Sequence, residues 1–254
     1  MKSTLTLLLL IIASPLLGQE VDFVEYDLEN GLHVILHQDN KAPVVVTSVL
    51  YHVGSKDEKE DRTGFAHFFE HLLFEGTQNI ERGKWFTIVT ANGGKNNAYT
   101  TDDFTYYYEV FPSNNLELGL WLESERMLHP VINKIGVETQ NEVVKEEKRL
   151  RYDNSPYGNW LKYVRENLFK NHPYSRMPIG KMEHLDAATL EEFKAFNKKY
   201  YSPNNAVLVV AGDFDLEKTK KMVSDYFGTI PRGETVARNY PKEAEVSEAI
   251  ETEA

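Results

Sequence analysis

The sequence predicts an α+β fold, and two observations carry the prediction. Strand-like runs, read from β-branched and aromatic residues and turn chemistry, gather at 21–53 and 97–111, whereas helical runs gather at 113–170, 189–200 and 216–227, with one further strand-like run at 206–212. The two kinds are grouped rather than strictly alternating, which favours α+β over a parallel α/β sheet. A composition of 41% hydrophobic and 26% charged residues over 254 positions is that of an ordinary globular protein, with room for one large domain or two small ones.

The first residues, MKSTLTLLLLIIASPLLGQE, place one Lys ahead of an apolar run and then small and turn-forming residues. This reads as a signal peptide over 1–18, cleaved after Gly18, because the run is too short to span a bilayer comfortably. A periplasmic or secreted protein without a stable membrane anchor is expected. The chain has no Cys, so neither a lipid-bearing Cys nor a disulfide framework is available. A net charge of -11 argues against nucleic acid or anionic lipid as a partner and is accounted for by a soluble surface.

Between 21 and 53 an Asn30-Gly31 turn separates two apolar-rich runs, and a β-branched stretch follows at 44–47, which predicts a hairpin and a third strand. The polar segment 54–63 reads as a surface loop, after which Gly64 opens a helix ending near Gly76. A Gly/Asn-rich turn at 92–97 leads into NAYTT, then Asp102-Asp103, then FTYYYEVF, a second strand pair. Ser113 is expected to cap a helix running through Met127 and closed by Pro130. A charged helix is predicted over 134–152, broken at Asn154-Ser155-Pro156, with a further helix over 158–170. Thr189 and Glu192 form a capping-box signature at the start of a helix over 189–200. AVLVVAG at 206–212 reads as a buried strand and 216–227 as an amphipathic helix. We therefore expect one domain over 19–232, and an acidic linker or the truncated start of a second domain over 233–254.

The stretch FAHFFEHLLF is apolar everywhere except at His67, Glu70 and His71. At about 100° per residue, His71 lies about 40° to one side of His67 and Glu70 about 60° to the other, so the three share one stripe of a helix otherwise coated with Phe and Leu. Setting two imidazoles and a carboxylate on such a helix is costly unless a divalent cation offsets their desolvation. Zinc suits two His one turn apart, as in H-x-x-E-H, with the Glu left to accept a proton from water. A third ligand is required, and EVVKEEKRL offers Glu142, Glu146 and Glu147, among which spacing alone does not choose.

These residues resemble the insulinase/pitrilysin family of zinc peptidases, which includes the mitochondrial processing peptidases. The likeness covers 24–228 and rests on HFFEHLLFEGT at 67–77, NAYTT at 97–101, EVVKEEKR at 142–149, HPYSRMPIG at 172–180 and YYSPNNAVLVVAGDFD at 200–215. The resemblance implies a mixed, largely antiparallel sheet covered by helices. It implies one zinc per chain, with Glu147 as third ligand and Glu146 as the next candidate. It also implies that Asn97 and Ala98 lie on an edge strand to which an extended peptide adds, that the aromatic cluster at 104–108 is sheet packing, and that HPYSRMPIG is a structural turn. Two departures stand out: Gln140 occupies a position, seven before Glu147, where many active members carry Glu, and the second half that would complete the chamber is not in the sequence. The function these features imply is a zinc-dependent endopeptidase half that needs a second homologous domain or subunit. The alternative is a non-catalytic peptide-binding or scaffold subunit.

Overall fold

The structure is a computed structural model that describes residues 21–249 and 251, so the expected signal peptide lies outside the described residues. Six strands form one sheet: β1 (Val24–Asp27), β2 (His33–Gln38), β3 (Val44–Tyr51), β4 (Lys95–Thr100), β5 (Thr105–Pro112) and β6 (Ala206–Gly212). Their order is β1-β2-β6-β3-β5-β4, antiparallel throughout except for the β2–β6 pair. The hairpin expected at Asn30-Gly31 is present, with Gly31 at φ 88 and Val24 paired to Leu36. Strand β6, distant in sequence, inserts between the hairpin and β3.

Eight helices accompany the sheet among the described residues: α1 (Phe65–Leu72), α2 (Trp85–Ala91), α3 (Leu116–Leu128), α4 (Lys134–Lys148), α5 (Trp160–Leu168), α6 (Met182–Asp186), α7 (Leu190–Tyr200) and α8 (Leu216–Phe227). Alternate strand residues, among them Val34, Leu36, Val45, Val49, Tyr51, Tyr107, Phe111, Leu208 and Val210, are fully buried and meet the helices in one core. Their neighbours on the opposite face, such as Ile35, Val46, Tyr106, Tyr108 and Val209, remain half-exposed. The fold is thus the α+β arrangement with a mixed, largely antiparallel sheet that the sequence predicts. Among the described residues no helix is long and apolar enough to cross a membrane.

Several elements differ from expectation. Ser113 caps nothing: Ser113–Asn115 is a 3-10 turn, and α3 begins at Leu116 without a side-chain cap. The segment 54–63 is more than a surface loop, because Ser55, Glu58 and Thr63 are buried within it. Helix α1 stops at Leu72, four residues before Gly76. The charged helix continues past Lys148 only as a π-helical turn, Arg149–Asp153. Helices α2 and α6 are additions; WFTIVTA in α2 is β-branched and aromatic, yet Trp85 and Val89 bury as helical neighbours. Thr189 and Glu192 do form the capping box. The segment after 232 stays fastened to the body, since Gly233 N–H donates to Asn204 (2.7 Å) and Arg238 and Tyr240 both donate to Asp57 Oδ1 (3.2 and 2.6 Å).

Candidate metal centre

Helix α1 owes its placement to a buried carboxylate and an aromatic cluster. Gly64, at φ 91, turns the chain into the helix. Glu58, six residues upstream, accepts the N–H groups of Gly64 and Ala66 (both 2.8 Å) and so satisfies two backbone donors at the helix start. Burial pushes the Glu58 carboxyl up to about 8, against the pull of those two N–H groups. On the opposite side, the rings of Phe65, Phe68 and Phe69 gather around Phe193 of α7, and Tyr107 donates its hydroxyl to Phe69 O (2.9 Å). Burying that apolar side fixes the rotation of α1 and commits the polar stripe to the cleft against α4.

In that cleft the Nε2 atoms of His67 and His71 lie 3.4 and 3.1 Å from Glu147 Oε2. The ligand atoms of these three residues all fall within 4.8 Å of one another. Donors held at about 2.0–2.2 Å from a tetrahedral ion are themselves about 3.3–3.6 Å apart, so the two histidine-to-Glu147 separations are close to what a shared cation needs. The donor set, two imidazoles and a carboxylate, is that of a zinc site with one open position. Glu147 Oε1 is held separately by Arg151 (2.8 Å). Hydrogen bonding to His67 and then to His71 holds the Glu147 carboxyl well below the usual carboxylate range. The buried Nδ1 of His67 has no hydrogen-bond partner.

The other glutamates of α4 point elsewhere. Glu146 pairs with Arg149 and Glu142 with Lys145 (3.2 Å), both at the surface. Spacing left three candidates open, and the folded helix brings only Glu147 to the histidines. Glu70 stands outside the converging group: its Oε2 accepts the hydroxyl of Thr100 (2.6 Å), at the end of β4. In the sequence Thr100 is marked only by its place in the NAYTT motif. Asn97 and Ala98 lie on β4, the outermost strand, paired with Tyr108 and Tyr107. Ala98 packs on the core, while Asn97 is exposed. A cleft of about 480 Å³ is lined by Lys148, Tyr152, Arg176 and Lys181 rather than by the three converging residues.

Comparison with known proteins identifies the family. A family model described as insulinase (peptidase family M16) matches residues 33–180, and one described as the peptidase M16 inactive domain matches 187–253. Zinc protease PqqE of Helicobacter pylori is 36% identical over 206 residues, covering 80% of this chain and 46% of that protein. The probable zinc protease PqqL of Escherichia coli is 27% identical over 241 residues, covering 90% of this chain and 26% of that protein. The crystal structure of the first half of the periplasmic protease PqqL from Escherichia coli matches with a TM-score of 0.81 at 27% identity, over 90% of this chain and 51% of that one. The chain therefore spans about half the length, or less, of these relatives. With both family models aligned end to end along it and the two-histidine, one-glutamate cluster in place, this chain belongs to the insulinase family of peptidases, M16.

Proposed function

We propose that the chain is the metal-bearing half of a periplasmic or secreted zinc endopeptidase acting on unfolded peptides. The observation that carries the reading is the convergence of His67 Nε2, His71 Nε2 and Glu147 Oε2 on one point. These three would hold one zinc per chain. When bound, zinc would supply Lewis acidity toward the scissile carbonyl and lower the pKa of water. Glu70 acts as general base: it takes a proton from the attacking water and returns it to the leaving amine as the C–N bond breaks. Thr100 orients that carboxylate through its 2.6 Å hydrogen bond. The substrate adds as an extended strand along β4 at Asn97 and Ala98, where the open sheet edge offers backbone donors and acceptors. A second homologous domain or subunit completes the chamber, in keeping with relatives about twice as long. The domain itself occupies 19–232, with 233–254 leading toward that second half and 1–18 removed as a signal peptide.

The test is bound zinc per chain by elemental mass spectrometry. About one zinc is expected in the wild type and in Glu146→Gln and Glu70→Gln, with loss in His71→Ala and Glu147→Gln. A folded wild type without zinc would instead favour a non-catalytic, peptide-binding subunit.

A further inference from the structure

Helix α4 meets α1 along a single stripe. Gly136, Gln140, Val144 and Glu147 follow one another at four-, four- and three-residue spacing, which keeps them on one side of the helix. Gln140 and Glu147 are about two turns apart, within about 20° of each other and separated by about 10.5 Å along the axis. Between them Val144 is fully buried. At the N-terminal end α4 comes so close that a Cβ on Gly136 would lie 3.4 Å from Leu72 Cδ1 and 3.7 Å from Glu75 Cγ.

Two polar rungs close this seam. One is Glu147 with the α1 imidazoles. The other is Gln140, whose Nε2 donates to Glu75 Oε1 at 2.5 Å, just beyond the end of α1. Glu75 is itself anchored, because its second oxygen accepts from Arg82 and its side chain is only 12% exposed. An amide is the right group here. A carboxylate at position 140 would face the Glu75 carboxylate across the same gap, with Arg82 engaged on the far oxygen.

We infer that Gln140 and Glu75 are positioning residues that set the height of α4 against α1, and thereby deliver the Glu147 carboxylate to His67 and His71. The inference rests on the metal reading above. It also gives position 140 a role that a carboxylate could not fill beside Glu75. Neither residue touches the reacting atoms; they act through Glu147.

The experiment is zinc affinity of the full chain, measured by competition with a fluorescent chelator, for wild type, Gln140→Ala, Gln140→Glu, Glu75→Gln and the exchanged pair Glu75→Gln/Gln140→Glu. Affinity is expected to fall about tenfold in Gln140→Ala and at least as far in Gln140→Glu, the range seen when a ligand's supporting contacts are removed. The exchanged pair restores a donor and an acceptor in reverse order, and recovers affinity to within about threefold of wild type. A general packing defect would not be rescued by that exchange. Affinities of both Gln140 variants within about twofold of wild type, while His71→Ala abolishes binding, overturn the inference and leave the proposed function standing. An exchanged pair no better than Gln140→Glu overturns it as well. A folded wild type that takes up no zinc overturns the proposed function. In that event a double-mutant cycle on thermal stability with Gln140→Ala and Glu75→Ala decides the rung in the metal-free chain. Measurable coupling keeps it and additivity removes it.

Discussion

The hydroxyl of Thr100 lies 2.6 Å from Glu70 Oε2, so the last residue of the edge strand holds the carboxylate of the helix that carries the histidines. The contact ties the strand proposed to receive substrate to the residue proposed as general base.

Replacing Thr100 with Val removes this hydrogen bond while keeping the branched shape. Zinc content is expected to stay at about one per chain, and peptide hydrolysis with a complementary half supplied is expected to fall about tenfold, mainly in kcat. Loss of zinc in Thr100→Val would show that the hydroxyl supports the metal site rather than the base.

Glu58 makes stability depend on pH in an unusual direction for a carboxylate. Its folded value is pushed up to about 8 from 4.5, so the unfolded chain ionises first as pH rises. Its contribution is therefore complete below pH 4.5 and is lost progressively up to pH 8. Thermal unfolding of the metal-free protein at several pH values is expected to show a fall across that window that Glu58→Gln lacks. Parallel profiles for the two proteins would refute the assignment.

Arg126 is fully buried and bonds both Glu123 and Glu109, each also fully buried, and donates to Leu73 O at the end of α1 (3.1 Å). Its guanidinium also lies 4.1–4.4 Å from the ring centres of Phe74, Trp85 and Tyr107. Arg126→Met leaves a buried negative charge without its partner and is expected to cost about 3–5 kcal/mol in denaturant titration. Glu109→Gln is expected to cost less than about 1.5 kcal/mol, because burial and the Glu123 charge already push the Glu109 carboxyl upward, toward its neutral form.

Gly180 sits at φ 67 against the turn into α1, where an added Cβ would lie 2.3 Å from Gly64 N. Gly180→Ala combines a strained backbone with a clash against main chain, and is expected to cost about 1–3 kcal/mol. It should also weaken zinc binding, because the displaced element is the start of the histidine helix. Unchanged stability and affinity would mean that this turn is slack.

Much of the fold is readable because local chemistry and tertiary context agree. The Asn30-Gly31 hairpin, the NAYTT and FTYYYEVF pair and the Thr189–Glu192 box each rest on interactions within a few residues, and each appears in the structure. Where local preference and packing diverge, the sequence is silent: the β-prone WFTIVTA forms α2, its buried face met by residues outside it, the Phe74 ring and the Arg126 guanidinium against Trp85. Ser113 shows the converse, a good capping residue left in a 3-10 turn because α3 starts three residues later.

The candidate site divides along the same line. That His67, Glu70 and His71 share one helical stripe follows from the helical repeat alone. Tertiary structure decided which glutamate joins them. Glu142, Glu146 and Glu147 are neighbours on one helix, and only the docking of that helix on α1, through Val144 and the Gln140–Glu75 contact, turns Glu147 inward and leaves the other two at the surface. The physical reason is range. Periodicity is a property of consecutive peptide units, whereas the rotation and height of one helix against another are set by side chains far apart in the chain that meet only once the core has closed.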